Sequence, residues 1–286
     1  LIPGTRWLVH AAAALPLYSR QDILSTEVEG TRNLLEAALR NDVERFIYIS
    51  STAVYGIPER VPVSETDALV GVGPYGRAKI EAERLCVEYR RRGLCVPVIR
   101  PKSFVGQERL GVFELLYSWA KEGRSFPIPG KGNNRYQLLD VEDLCAAIYL
   151  CAIREKHLVN TTFNIGAKEF ATLREDFQAV LDAAGCGKGV VPVPRRITVS
   201  TLRLLAFFHL SPIYRWIYET AGRDSIVSIE KAERALGYSP RYSNQMSLLR
   251  NYQWYCHSYR PADGSPGVSH RTVWRHGVLR IVKAFF

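Results

Sequence analysis

The sequence has little of what would tie a chain to a metal, an oxidising compartment or a bilayer. Its six cysteines (Cys86, Cys95, Cys145, Cys151, Cys186 and Cys256) form no Cys-x-x-Cys pair and no paired Cys/His spacing. That excludes a zinc-finger arrangement and a disulfide framework, so no metal ligands are expected and the thiols are read as reduced. No run approaches the roughly 18 apolar residues that a spanning helix needs. The opening LIPGTRWLVHAAAALP has no basic stretch ahead of its apolar part, so it does not read as a signal peptide. No repeat period appears, and no low-complexity tract precedes the tail. A cytoplasmic protein is expected. Met246 is the single methionine, so the chain does not open on an initiator, and we expect it to be part of a longer one.

What is there is an ordinary soluble composition. Hydrophobic residues make up 47% and charged ones 23% of 286 residues, enough for one large or two modest domains. The net charge is +10, which could draw nucleic acid, anionic lipid or a phosphorylated substrate. No zinc-finger or RNP-type motif supports nucleic acid, and none is expected as a partner. From His257 onward Arg260, Arg271, Arg275, Arg280 and Lys283 stand against Asp263 alone. If 270–286 is helical, Trp274, Val278, Ile281, Val282 and Phe285 share one face, with Arg280 and Lys283 opposite. Such a tail can lie on an anionic bilayer or dock on the protein, and both readings stay open.

Hydrophobic periodicity places the elements. Trp7-Leu8-Val9 reads as a buried strand ending in the small-residue turn His10 to Ala13. Residues 26–40 put Val28, Leu34, Leu35, Ala38 and Leu39 on one helical face. Arg45 to Ile49 is a second strand, ending in Ser50-Ser51. A long helix runs from near Tyr75 to Arg92 and closes at Gly93. Cys95 to Ile99 is a strand broken by Arg100-Pro101. A helix follows at 111–122, strand-like residues at Tyr136–Leu139, a helix opened by Asp140-Val141-Glu142-Asp143, and a last strand at 161–165. The alternation predicts βαβ crossovers on a parallel sheet. Beyond residue 166 the pattern turns to helices with basic and aromatic residues, which marks a domain shift.

Residues 71–79, GVGPYGRAK, carry two overlapping patterns. Gly71-x-Gly73-x-x-Gly76 matches a dinucleotide fingerprint, but that fingerprint works only between a strand and a helix. SETDALV precedes it and Pro74 sits inside it, so these glycines are expected to shape a loop into the helix. Tyr75-x-x-x-Lys79 puts a phenol and an ammonium on one helix face. A nearby ammonium lowers a phenol pKa that is normally about 10, making Tyr75 usable as an acid or base. Such a pair alone is common on surface helices. Here Ser50-Ser51 lies at a strand C-terminus, where sites form in parallel sheets.

In order along residues 8–242 come VHAAA, EGTRNLLEAA, RFIYISSTAVYG, PYGRAK, VIRP, LLDVEDL, FNIG and IEKAERALGYSP. With these pieces the chain resembles the extended short-chain dehydrogenase/reductase family, in its NAD-dependent epimerase/dehydratase branch. The resemblance implies an α/β, Rossmann-type doubly wound parallel sheet with a smaller C-terminal substrate-binding region. Trp7–Val9 then corresponds to strand 4 of the order 3-2-1-4-5-6. Strands 1 to 3, a Gly-rich phosphate turn and the NAD/NADP selector are expected upstream, and the present fragment is expected to bind NAD(P) poorly and be inactive. The expected division is a partial NAD(P)-binding domain at 1–166, a substrate cap at 167–256 and a basic amphipathic tail at 257–286.

The resemblance also implies a triad of Ser51, Tyr75 and Lys79. Tyr75 would act as acid/base on a secondary alcohol or ketone, Ser51 would hold the substrate oxygen, and Lys79 would tune Tyr75 and reach the nicotinamide ribose. Ala11, Ala12, Ser50, Arg100, Pro101 and Ser103 would line NAD or NADP beside Tyr75 and Lys79. Ser51, Ser103 and Tyr136 would meet a small-molecule substrate. A homodimer and a peripheral membrane contact through the tail are compatible with this reading.

The chain departs from the family pattern in places. Glu27 stands where Asn often precedes the Val-x-Gly-Thr helix start. Ser103 stands where many sugar-nucleotide enzymes have Asn, and Tyr136 where an Arg commonly grips a diphosphate. The Arg-x-Gly-Asp context for a second gripping Arg is replaced by TAGRDSIVS. The stretch 197–218 is unusually apolar for a sugar cap. A nucleotide sugar remains the first choice of substrate, with a 3β-hydroxysteroid or isoprenoid-type dehydrogenase as the alternative. From a different class, a non-catalytic fragment or a membrane-surface binding protein also stays open.

Overall fold

The computed structural model describes residues 4–16, 18–194 and 222–259, together with 196, 198 and 200. Most of the apolar stretch 197–218, and the tail helix expected at 270–286, lie outside the described residues. The strands are β1 (Trp7–His10), β2 (Arg45–Ile49), β3 (Val98–Pro101), the short β4 (Phe104–Val105), β5 (Phe126–Pro129), the short β6 (Leu139–Asp140), β7 (Thr162–Ile165) and β8 (Val190–Val193). The α-helices are α1 (Arg20–Leu24), α2 (Gly30–Arg40), α3 (Gly73–Arg91), α4 (Phe113–Lys121), α5 (Val141–Ile153), α6 (Lys156–Val159), α7 (Leu173–Ala183), α8 (Glu230–Leu236) and α9 (Asn244–His257).

The chain forms two compact units that are not contiguous in sequence. The first holds Leu1–Phe104, Glu142–Lys168 and Val227–Arg241; the second holds Val105–Val141, Glu169–Ile226 and Tyr242–Phe286. In the first, a parallel sheet runs in the order β1-β2-β3-β7, which is the strand run the sequence led us to expect. Trp7 pairs with Arg45, Tyr48 with Val98, and Val98 in turn with Thr162. Helices α2 and α3 bury Leu35, Ala38, Ala82, Leu85 and Cys86 against Phe46, Tyr48 and Val98 of the sheet. The alternation of side chains along β2 puts Phe46 and Tyr48 on that same face. β1 is an edge strand among the described residues, with Trp7 and Val9 41% and 45% exposed. The late segment around α8 returns to this unit, where Arg154 donates to Leu236 O at 2.9 Å and Lys231 to Thr161 Oγ1 at 2.8 Å.

Four expectations about elements change; one is that the strand-like run at Tyr136–Leu139 reduces to a bridge at Tyr136 and the short β6 at Leu139–Asp140. The strand read at Cys95–Ile99 is shifted to Val98–Pro101. Pro97 has no N–H to give the ladder, although Cys95 O and Pro97 O still accept from Phe46 and Tyr48 N–H at 2.9 Å. The helix read at 26–40 begins earlier, at Arg20, and passes through a π-helical turn at Ser25–Glu29 before α2. Residues 161–165 are not the last strand. β8 follows and pairs in parallel with β5, Phe126 opposite Val190.

In the second unit, α4, α7 and α9 close on a core that includes Leu116, Tyr117, Ile128, Val180, Leu181, Leu248 and Tyr252. Thr172 and Glu175 form a capping box at the start of α7, and Ser243 caps α9.

Candidate active site

β2 delivers the chain to Ser50, whose N–H bonds Ile99 O at 2.7 Å. The next residue, Ser51, is extended (φ −160°, ψ 148°), and its Oγ accepts from Ala53 N–H at 3.1 Å, capping a 3-10 turn at Thr52–Tyr55. That use as an acceptor leaves the Ser51 hydroxyl proton available to a ligand. The start of α3 lies directly on this turn. A Cβ at position 76 would stand 2.9 Å from Ala53 O and 3.1 Å from Gly71 Cα, so only glycine permits the approach. Gly71, at φ +64°, gives its N–H to Val54 O at 2.9 Å. The glycines at 71 and 76 therefore bring α3 onto the serine turn.

Tyr75, half-buried in the first turn of α3, packs with Val28 against Ala14, Ile23 and Ala78. One turn on, Lys79 is fully buried, its Nζ 5.9 Å from the centre of the Tyr75 ring. Three acceptors surround that ammonium: Ile49 O at 2.9 Å, Tyr48 Oη at 3.2 Å and Glu27 Oε2 at 2.8 Å. Burial works against the charge, but Tyr48 and Glu27 outweigh it and hold the Lys79 pKa above its ordinary value. Burial pushes the Tyr48 phenol up, so it meets Lys79 as a neutral group.

Under Lys79 the π turn points Glu27 inward. Its side chain is 0% exposed, and Oε1 accepts from Ala14 N–H at 2.9 Å. Thr31 Oγ1 donates to Glu27 O at 2.6 Å and lies 3.0 Å from His10 Nε2. With its proton directed to Glu27 O, Thr31 accepts from His10, which places the imidazole proton on Nε2. Burial and then Lys79 pull His10 down to about 4, so the ring is neutral at physiological pH.

The remaining expected site residues fall into separate settings. Ala11 and Ala12 are exposed at the end of β1. Ser50 and Arg100 are buried, and both direct their side chains to Glu83: Ser50 Oγ donates to Oε1 at 2.5 Å, and Arg100 Nη2 to Oε2 at 2.5 Å. Pro101 ends β3 and Ser103 is half-buried just beyond it. Tyr136 belongs to the second unit, where its O accepts from Asn244 Nδ2 at 2.8 Å and it bridges Ser225. Its neighbour Arg135 is paired with Asp224 at 3.7 Å. Glu27 and Glu83 were not among the residues singled out for a site. Glu83 follows Tyr75 and Lys79 at four-residue spacing, so its face was readable; its burial was not.

The small exposed side chains of Ala11 and Ala12 leave the turn after β1 open to a planar ring. Tyr75 and Ala78 of the helix pack beside Ala14, in the same cluster as that turn. This suits the nicotinamide-ribose end of NAD. The Gly71–Gly76 stretch is engaged in packing α3 and is not available as a pyrophosphate cradle. Among the described residues there is no cluster of three His, Cys, Asp or Glu placed to hold a metal, and no helix long and apolar enough to cross a membrane.

Comparisons with known proteins bear on the fold and the family. The model of the NAD dependent epimerase/dehydratase family matches residues 7–166. The uncharacterized protein y4nG of Sinorhizobium fredii is 32% identical over 98% of this chain and 71% of its own length. The dTDP-glucose 4,6-dehydratase of Streptomyces niveus is 28% identical over 93% of this chain and 77% of its own. Among solved structures, UDP-glucose 4-epimerase of Thermotoga maritima superposes with a TM-score of 0.72 at 23% identity, covering 88% of this chain and 77% of that one. The parallel sheet, the serine turn and the Tyr-x-x-x-Lys helix thus sit in a chain that belongs to the NAD dependent epimerase/dehydratase family.

Proposed function

We propose that this chain carries the acid/base and substrate-orienting machinery of an NAD-dependent epimerase/dehydratase-type oxidoreductase acting at a secondary alcohol or ketone, a nucleotide sugar in the first instance. The observation that carries the reading is the seating of α3 on the serine turn, with Lys79 buried one helical turn from Tyr75. When bound, the nicotinamide ring would take up or give the hydride. Ala11, Ala12, Ser50, Arg100, Pro101 and Ser103 would line it, and Lys79 would reach the ribose by giving up one of its contacts to Ile49 O, Tyr48 Oη or Glu27.

This chain's own residues do the proton chemistry. Ser51 donates a hydrogen bond to the carbinol or carbonyl oxygen and fixes its position. Tyr75 takes the proton from the alcohol in oxidation and returns it in reduction. Lys79 places its ammonium one helical turn from where the phenolate forms, with Glu27 as its counter-charge. Ser103 and Tyr136 would contact the rest of the substrate. In this reading the cofactor is served from within 1–166 and the substrate from within 167–256, with 105–141 joining the second unit and 227–241 returning to the first, and 257–286 is a basic tail. A homodimer, a peripheral membrane contact and a cytoplasmic location belong to the same proposal.

A second reading, an apolar hydroxysteroid or isoprenoid-type substrate, draws on the second unit. Tyr136 stands where a diphosphate-gripping Arg is expected, and adjacent Arg135 is engaged with Asp224. A panel of UDP-, GDP- and dTDP-sugars against hydroxysteroids, followed by NADH absorbance, separates the two. In the complete protein, Tyr75→Phe should lower turnover on the accepted substrate by about 10²–10⁴-fold while leaving the fold and NAD affinity intact. Full activity in that variant would reject the proposed role.

A further inference from the structure

We propose that Glu27 is the positioning and charge-compensating partner of Lys79, a role the carboxylate takes at a position where the family pattern often has Asn, and that it sets how strongly Lys79 favours the Tyr75 phenolate. The proposal rests on the reading of Tyr75 and Lys79 as the acid/base pair.

The geometry is specific. A carboxylate with a fully buried side chain is rare unless it is paired. Glu27 reaches this place because the helix widens into a π turn at Ser25–Glu29, a feature that recurs at functional sites. One oxygen takes the Ala14 N–H from the turn after β1, and the other takes Lys79 Nζ from α3. A single side chain therefore ties the open alanine turn to the lysine. The ammonium donates to Ile49 O and Tyr48 Oη, and Glu27 Oε2 stands 2.8 Å from Nζ as its ion-pair partner. Its position is fixed before any ligand arrives.

The charge balance follows from the groups that face Lys79. They are His10 from β1, Glu27 from the π turn, Tyr48 from β2, and Tyr75 and Cys86 from α3. His10 is neutral, and burial keeps the Tyr48 phenol and the Cys86 thiol protonated. Glu27 supplies the counter-charge. Tyr75 thus senses an ion pair, whose field is much weaker than that of a lone ammonium 5.9 Å away. The pair tempers the acidity of Tyr75 and keeps it able to return a proton.

The test reads protonation without turnover. The tyrosinate absorbance of the purified protein is titrated with and without Tyr75→Phe, and the difference isolates the Tyr75 phenol. Glu27→Gln leaves a lone ammonium and should lower the Tyr75 midpoint by about one pH unit or more. Glu27→Asp, with a shorter reach, should give a smaller shift in the same direction. Removing one member of a buried pair can prevent folding. The double variant Glu27→Gln/Lys79→Met removes both charges and keeps the volume, and circular dichroism reports its fold. Its Tyr75 midpoint should stay within about half a unit of wild type. A rise of a unit or more there, or an unmoved midpoint in folded Glu27→Gln, would overturn the proposal. A Tyr75→Phe protein with full activity would instead sink the catalytic reading and leave the titration result standing.

Discussion

The Arg100 guanidinium and the Glu83 carboxylate are locked together inside the first unit, with side chains only 5% and 7% exposed. Nε reaches Oε1 at 2.9 Å and Oε2 at 3.2 Å, while Nη2 reaches Oε2 at 2.5 Å. Ser50 adds its hydroxyl to Oε1, and Tyr55 Oη lies between Arg100 Nη1 and Asn164 Oδ1 at 2.7 Å from each. Burial works against the Arg100 charge and Glu83 overcomes it, so the arginine pKa is raised. Burial pushes the Tyr55 phenol up to about 12. The network joins β2, α3, β3 and β7 just behind the serine turn.

Glu83→Gln should therefore act on stability first. It leaves Arg100 buried without its counter-charge, a change that costs about 3–5 kcal/mol. Urea denaturation of wild type and variant checks the figure. A loss below about 1 kcal/mol, the size of an exposed pair, would mean that water reaches Arg100. With their polar atoms directed to Glu83, Ser50 and Arg100 can line a cofactor through their backbone; Arg100→Lys should accordingly alter the unfolding midpoint far more than NAD affinity measured by calorimetry.

Much of this was legible in the sequence, and the failures have physical causes. Arg45–Ile49 and Thr161–Ile165 are short apolar runs between turn residues, which is all a buried parallel strand needs to show; Trp7–Val9 shows the same run and is a strand, but its outer residues are exposed rather than buried as expected. Tyr75, Lys79 and Glu83 fall on one helical face by spacing alone. What spacing cannot show is that a charged residue is buried, because charge on a helix usually marks a solvated face. Glu27 is harder still: a π turn has no sequence signature, and without it the carboxylate would be read as part of an exposed acidic helix start. β8 carries Pro192 between valines, which argues against a strand in isolation, and only its pairing with β5 makes it one. The return of 227–241 to the first unit depends on contacts far apart in sequence, such as Tyr238 Oη to Gly166 O at 3.2 Å.

Gly76→Ala tests whether the serine turn and α3 act as one piece. In an exposed helix interior, alanine would be favoured over glycine by about 1 kcal/mol. Here the added methyl meets backbone, Ala53 O at 2.9 Å and Gly71 Cα at 3.1 Å, which cannot swing aside as a side-chain end can. The helix must back away from the turn, carrying Tyr75 from Ser51. We expect a loss of about 1–3 kcal/mol in chemical denaturation and a drop in turnover on the order of 10²-fold, since a displacement of about 1 Å suffices for that. A variant more stable than wild type with unchanged turnover would show that the approach has slack.

His10 should make the fold acid-sensitive in a defined window. The ring is 3% exposed, tilted at 44° to Tyr48 with ring centres 5.5 Å apart, and gives its Nε2 proton to Thr31. Burial first, and then the Lys79 charge, hold its folded pKa at about 4, below the unfolded value of 6.5. Protons therefore bind the unfolded chain more tightly. The stability linked to His10 is fully present above pH 6.5 and is lost progressively as pH falls toward 4. The shift corresponds to about 3 kcal/mol, of which about 2 kcal/mol should be gone by pH 4.5. His10→Gln keeps an N–H donor but cannot titrate. Urea denaturation at pH 7 and pH 4.5 should show wild type losing about 2 kcal/mol more than this variant. Equal losses would mean that the imidazole takes up its proton in the folded state as easily as in the unfolded one, and that the Lys79 ammonium is screened from β1.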